Sequence, residues 1–258
     1  MHIERLPRFP LAQLPTPLEA MPALSRELGG PTLLIKRDDQ TGLALGGNKS
    51  RKLEFLVGDA LAKGCDTLVT MGAAQSNHCR QTAAAAAKAG LQCELILNGT
   101  KPEIRNGNLL LNELFGANEH WIERSQRAAK LRELADQLRV RGRKPYLIPV
   151  GGSNGVGATG YVVAMLELMA QLSASKQPVD HIVFGSSSGG TQAGMVVGAR
   201  VAGFTGRLHG LSIDKDDPEH EEYEIEVAQI ANACAGYIGS DVRLSKDDVK
   251  VVYGYMGQ

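Results

Sequence analysis

The chain has 258 residues, 43% hydrophobic and 22% charged, a composition suited to a globular protein of one large or two modest domains. Lysine plus arginine and aspartate plus glutamate balance at 28 each, so no net charge favours nucleic acid or an anionic membrane, and a small-molecule partner is expected. Cys65, Cys79, Cys93 and Cys234 form no Cys-x-x-Cys pair and the six histidines show no His-x-x-x-His spacing, which argues against a disulfide framework and a metal site.

In chain order, the opening Met1-His2-Ile3-Glu4-Arg5-Leu6-Pro7 lacks an apolar signal core. No apolar run reads as long enough to cross a bilayer, so a cytoplasmic protein is expected. Short β-rich runs then alternate with helix-length segments and glycine-rich joints, the pattern of an α/β protein with a largely parallel sheet. Strands are expected at Leu33 to Lys36, Thr67 to Met71, Cys93 to Leu97, Glu119 to Ile122, Tyr146 to Val150, His181 to Phe184 and Arg207 to Ile213. Helices are expected at Lys52 to Lys63, Asn77 to Ala89, Gly107 to Phe115, Ser125 to Arg141, Val156 to Leu172, Thr191 to Ala202 and Glu219 to Ala235. The alanines from Ala83 to Ala87 suit close packing of a helix on a sheet. The basic run from Arg124 to Lys144, interleaved with Glu133 and Asp136, reads as a solvated helix face.

Three stretches carry groups fit for chemistry. Gly46-Gly47-Asn48-Lys49-Ser50-Arg51-Lys52 presents Lys49 in a glycine-bounded turn before a helix, where neighbouring cations and partial burial would lower its pKa and free a nucleophilic amine. Gln75-Ser76-Asn77-His78 follows a strand, at the end of a sheet where α/β proteins bind ligands. With Gln81 one turn on, Ser76, Asn77 and His78 gather more hydrogen-bonding groups than the one helix cap that Ser76 could supply. Ser186-Ser187-Ser188-Gly189-Gly190-Thr191 follows the apolar Ile182-Val183-Phe184 and opens a helix. Its backbone N–H groups and hydroxyls suit a single phosphate, while the Gly-Lys-Ser/Thr ending and Gly-x-Gly-x-x-Gly spacing of nucleotide sites are absent. Gly151-Gly152-Ser153-Asn154-Gly155-Val156-Gly157 reads either as an inter-domain crossover, as a ligand-facing loop, or as a plain flexible connection. An amine for a Schiff base, polar groups for a ring and a monophosphate cradle are together what a protein contributes to pyridoxal phosphate chemistry.

At these residues the chain resembles the D-cysteine desulfhydrase and aminocyclopropane-carboxylate deaminase family of fold-type II pyridoxal phosphate enzymes, related in fold to the tryptophan synthase β-chain. The resemblance runs through Leu14-Pro15-Thr16-Pro17-Leu18, Ile35-Lys36-Arg37-Asp38-Asp39, Gly46 to Glu54, Gln75 to His78, Ile148 to Asn154 and Gly189 to Gly194. It implies a two-domain α/β fold: a large cofactor-binding domain from residues 1–53 and 161–258, and a small domain from 54–160. It implies that Lys49 holds pyridoxal 5'-phosphate and shuttles the substrate α-proton, with Ser76 as a second catalytic group, and that Asn77 bonds the ring hydroxyl. Ser76, Asn77 and His78 would face the substrate, and Ser187, Ser188, Gly189, Gly190 and Thr191 would hold the phosphate, with Ser187 standing where many members carry glycine.

The activity so implied is a lyase reaction on a small amino acid, D-cysteine going to pyruvate, sulfide and ammonia, in a homodimer. Deamination of 1-aminocyclopropane-1-carboxylate and sulfite-releasing cleavage of cysteate are the enzymatic alternatives. Family members continue for several tens of residues past the point where this sequence stops, with a substrate-facing tyrosine and a threonine at the pyridine nitrogen in that stretch. Self-association is therefore expected, and a non-catalytic cofactor-binding relative, or an interaction module with vestigial motifs, stands as the rival from another class.

Overall fold

The computed structural model describes residues 1–214 and 222–255. A small antiparallel pair comes first, β1 (Leu18–Ala20) with β2 (Leu34–Lys36), joined through the short α1 (Pro22–Leu28). Neither β1 nor α1 is visible as periodicity, because α1 buries none of its residues. Proline at its start and Gly29 at φ 60° after its end are what delimit it.

Two parallel sheets follow. The first has four strands in the order β5 (Asn118–Ile122), β4 (Gln92–Asn98), β3 (Thr67–Ala73), β6 (Pro145–Leu147). One face is covered by α2 (Lys49–Ala62) and α3 (Asn77–Ala89), burying Leu53, Leu56, Leu95 and Leu97. The other face is covered by α5 (Arg127–Val140), whose Leu134 and Leu138 meet Val69 and Ile96 while Lys130–Glu133 and Arg139–Asp136 pair on its solvated side. Between β4 and β5 lies α4 (Gly107–Leu114), packed on α3. β6 stops at Leu147, earlier than the expected Val150, since Pro149 has no N–H for the ladder and the chain turns at once into a 3-10 turn, Val150–Gly152.

The second sheet has three strands in the order β7 (His181–Ser186), β8 (Arg207–Ser212), β9 (Val251–Val252). α6 (Gly155–Ser175), α7 (Gly190–Ala202) and α8 (Glu222–Tyr237) pack together beside it around Val162, Val197, Val227 and Ala231. The expected helix from Glu219 begins among residues outside the described set, and its described part extends two residues past Ala235. The closing residues Met256 to Gln258 also lie outside that set.

α6 corrects one expectation. Its 21 residues are long and apolar enough to cross a membrane by length and composition. Over half of that window is instead buried within the protein, between α2, α7 and α8. Glycines bring these helices together: a side chain at Gly160 of α6 would overlap the Arg51 carbonyl of α2, and one at Gly194 of α7 would overlap the Ala158 carbonyl of α6. The backbones thus touch, which holds the first turn of α2, where Lys49 sits, beside the beginnings of α6 and α7.

Candidate active site

Lys49 is the first residue of α2, and its turn is tied to two other elements. The Gly46 carbonyl accepts from Arg80 Nη2 (3.0 Å) and Gln81 Nε2 (2.7 Å), both on α3, and Ser50 Oγ donates to Gln81 Oε1 (2.8 Å). Gly47 lies at φ 122°, where a Cβ would come 2.7 Å from Gln81 Nε2, so only glycine fits both the dihedral and the contact. On the other side Asn48 Nδ2 donates to Thr191 Oγ1 at the start of α7 (3.1 Å), and Asn48 Oδ1 accepts from Lys49 Nζ (3.0 Å). The lysine is therefore placed where the sequence reading wants it, between the Ser76–His78 turn and the serine–glycine loop.

Burial pushes the Lys49 amine down to about 8, with no carboxylate partner among the described residues to oppose it. Because the nucleophile is the unprotonated amine, its capture of an aldehyde should quicken with pH and level off above about 8. Stopped-flow mixing with pyridoxal phosphate across pH 6 to 10 reads this; a rate still climbing steeply at pH 10 would mean an ordinary exposed lysine.

Lys52, one helical turn further along α2, is 1% exposed. Its Nζ donates to the Gly151 carbonyl (3.2 Å) and approaches Ser153 Oγ (3.4 Å). Burial, reinforced by the nearby Lys49 charge, pushes its pKa well below the usual lysine value. Ser153 Oγ in turn contacts Ser188 Oγ (2.8 Å) and accepts from Gly190 N (3.1 Å). The glycine-rich Gly151–Asn154 segment is therefore packed against the serine–glycine loop through Ser153.

That loop runs from Ser186 at the end of β7 to Gly190 at the start of α7, with Gly189 at φ 76°. Ser186 Oγ contacts Tyr223 OH (2.8 Å) in the interior. Ser187 reaches the loop, but its hydroxyl donates to Asp214 Oδ2 (2.7 Å) and is committed there. Non-glycine residues with positive φ among the described set are Ala44, Leu45 and Lys176, so Ser187 carries no such strain where many family members have glycine. A Cβ on Gly190 would lie 2.6 Å from Ser153 Oγ, which shows how tightly the cradle is drawn.

At the third corner Ser76 caps α3, its Oγ accepting from Cys79 N (3.2 Å). Asn77 is exposed, with Oδ1 accepting from Arg80 Nη1 (3.0 Å) and Asn108 Nδ2 (2.9 Å). His78 is 3% exposed, with Nε2 on Thr70 Oγ1 (2.8 Å), whose hydroxyl donates to the Ile148 carbonyl (2.9 Å). The threonine oxygen therefore accepts, Nε2 carries the proton, and Nδ1 is a buried acceptor with no partner among the described residues. Burial and the charges of Lys49 and Lys52 hold the ring neutral. The ring lies beside Gly152 and Lys52, its one N–H engaged by Thr70.

The sequence reading points to Gln81 beside Ser76 to His78 but does not single out Lys52, Ser153, Arg80 or Asn108. For Lys52 the signal was present, because a lysine three positions after Lys49 shares its helix face. The others come from segments distant in sequence, joined only by the fold. Lys49, Lys52 and Arg80, all wholly or partly buried, meet no carboxylate among the described residues. Basic groups without a counter-charge suit an anionic ligand, which would itself favour their protonated forms. An open cavity of about 540 Å³ between β5 and α5, lined by His120, Trp121, Gln126 and Lys130, includes none of these groups.

A sequence profile of the family described as "Pyridoxal-phosphate dependent enzyme" matches residues 10–257. The chain belongs to this family. It is 42% identical over 264 residues to a D-cysteine desulfhydrase of Klebsiella pneumoniae (strain 342), covering 98% of this chain and 80% of that protein. A D-cysteine desulfhydrase of Salmonella choleraesuis (strain SC-B67) is 44% identical over 260 residues, 98% of this chain and 79% of its own. Among solved structures, one described as an ACC deaminase homologue superposes with a TM-score of 0.86 at 36% identity, over 98% of this chain and 75% of that one. The fold is accordingly that of a fold-type II pyridoxal phosphate enzyme, and the cofactor of the family is pyridoxal phosphate. The residues present fit that group: an amine lowered to about 8 at Lys49, the Ser188–Gly190 cradle beside the buried Lys52 amine, and a polar turn at Ser76–Asn77 for the ring.

Proposed function

We propose that the chain is a pyridoxal phosphate-dependent lyase that cleaves D-cysteine, with one water, to pyruvate, sulfide and ammonia. The observation that carries the proposal is the position of Lys49, tied through Asn48 to Thr191 and through Gly46 to Arg80 and Gln81, with its amine lowered to about 8. Similarity to D-cysteine desulfhydrases at 42% and 44% identity supports the substrate.

When bound, pyridoxal phosphate withdraws electrons from the substrate Cα, acidifying its proton and easing loss of a β-thiolate. The roles of this chain's residues follow from their chemistry. Lys49 anchors the cofactor carbon and, as a base near neutral pH, takes the α-proton. Main-chain donors of Ser188, Gly189 and Thr191 would hold the phosphate, joined by that of Gly190 on release of Ser153 Oγ, with Lys52 protonated by the bound dianion; Ser187 would serve through its backbone. Asn77 bonds the ring oxygen, and Ser76 and Asn77 line the substrate side, while His78 shapes that wall without touching a proton. The division into residues 1–53 with 161–258 and residues 54–160 belongs to the same proposal. It is supported by the four-stranded sheet falling within the second unit, with α2 and α6 crossing between them. A cytoplasmic homodimer is part of the proposal too, read by fractionation and sedimentation.

Purified chain supplied with pyridoxal phosphate should release sulfide and pyruvate from D-cysteine faster than from L-cysteine. A second reading, ring-opening deamination of 1-aminocyclopropane-1-carboxylate, is favoured by the 36% identical structure described as an ACC deaminase homologue. Turnover of that compound without sulfide from D-cysteine would replace the first reading with the second, and cofactor binding with neither activity would favour the non-catalytic relative. Lys52→Met should weaken cofactor binding by about ten- to a hundredfold, the loss of one charge-assisted contact, as measured by fluorescence titration. Unchanged affinity would remove Lys52 from the phosphate site.

A further inference from the structure

Arg80 is 7% exposed and its guanidinium spans three acceptors: Asn77 Oδ1 (3.0 Å) and Asn108 Oδ1 (2.8 Å) through Nη1, and the Gly46 carbonyl (3.0 Å) through Nη2. None of these is a carboxylate, so the arginine neutralises no side-chain charge; burial alone acts on it and lowers its pKa. What it does is fix polarity. A guanidinium only donates, so each amide facing it must present oxygen. Asn108 is then forced to turn its Nδ2 away, where it donates to the Gln75 carbonyl (2.7 Å) and to Asn77 Oδ1 (2.9 Å). Asn108 N also donates to Gln75 Oε1 (2.8 Å), closing the network between α4 and the turn that opens α3. The Asn77 oxygen thus receives two donors, and its exposed amide can offer only N–H outward.

We infer that Arg80 and Asn108 are positioning residues that lock the Asn77 amide with its nitrogen outward, as the hydrogen-bond donor to the ring oxygen of pyridoxal phosphate. The inference rests on the reading above that the cofactor ring lies against Asn77. The same guanidinium holds the Gly46 carbonyl, so one group sets both the ring contact and the turn that carries Lys49. Without it the Asn77 oxygen keeps one donor, Asn108 Nδ2, whose own orientation is no longer set by Arg80, and an amide oxygen turned toward the ring oxygen would repel it.

A donor on the ring oxygen favours its deprotonated form, so losing that donor raises the pH midpoint of the visible absorption band of the loaded protein. The test is a pH titration of that band at saturating cofactor in the parent chain, Asn77→Ala, Arg80→Met and the double variant, with cofactor affinity measured alongside. Asn77→Ala should move the midpoint up by roughly one pH unit, and Arg80→Met should move it in the same direction. The double variant should move no further than Asn77→Ala, since both changes remove one contact. An unmoved midpoint in Arg80→Met, or additive shifts in the double variant, would overturn the inference while leaving Asn77 in its role. An unmoved midpoint in Asn77→Ala would overturn the placement of the ring itself, and this inference with it. Should Arg80→Met not fold, Asn108→Ala decides: a smaller upward shift supports the lock and no shift refutes it.

Discussion

Replacing Lys49 with alanine is expected to abolish sulfide release from D-cysteine, by at least roughly 10⁴-fold, and to remove the visible band formed with pyridoxal phosphate. Two roles disappear together, the covalent anchor and the base, and no neighbouring group can take both. Lys52 is nearest in kind, yet it is 1% exposed and holds the Gly151 carbonyl and Ser153 hydroxyl on the phosphate side of the loop. The fold should survive, because the Lys49 amine is bonded only to its neighbour Asn48 among the described residues, and a buried cation without a counter-charge favours unfolding. A circular dichroism spectrum and melting temperature close to the parent's, with activity at background, is the expected pair of readings. Residual turnover near the parent rate would remove Lys49 from the chemistry.

Arg51→Met is expected to cost about 3–5 kcal/mol of stability, the largest structural effect of any single side chain here. Arg51 is 1% exposed and donates to Asp38 through Nε (3.0 Å) and Nη2 (2.8 Å), to Glu167 through Nη1 (3.1 Å) and Nη2 (2.9 Å), and to Thr16 Oγ1 (2.9 Å). Asp38 also accepts from Tyr161 OH (2.7 Å), and Glu167 pairs with Lys36. Methionine preserves much of the volume but leaves two mostly buried carboxylates facing the single cation of Lys36, each stripped of bonds that water cannot replace. The network joins the β1–β2 region to α2 and α6, so the melting temperature should fall by about 10 °C in a chain of this size. Binding of pyridoxal phosphate should weaken as well, since Arg51 lies two residues after Lys49. Arg37 is the control. Its partners Glu19 and Asp39 are solvent-exposed, and Arg37→Met should leave the melting temperature almost unchanged. Equal losses in the two variants would mean that burial is not what makes Arg51 matter.

Much of this was legible from residue pattern alone, and the reasons are local. α3 runs from Asn77 to Ala89 as expected, because Ser76 supplies its cap, Gly90 at φ 70° ends it and the alanines between pack flat on the sheet. The candidate phosphate loop was visible because glycine, serine and threonine there follow an apolar strand and open a helix. The pairings between distant segments were not visible. Nothing in Asn108 announces that it meets Asn77, and nothing in Ser187 announces Asp214. The substrate-facing place of His78 came from the family resemblance; its hydrogen bond through Nε2–H to Thr70, eight residues earlier on β3, is a pairing that no pattern announces. β9 has two residues, too few for any alternation, and exists only because Gly210 and Leu211 of β8 pair with it.

The central claim is that Lys49, and no other amine, carries the cofactor. The most direct test is to load the protein with pyridoxal phosphate, reduce it with borohydride, digest it and map the labelled lysine by mass spectrometry. Near-stoichiometric label on Lys49 alone is the predicted result. Label spread over surface lysines, or concentrated on Lys52, would contradict the account at its foundation.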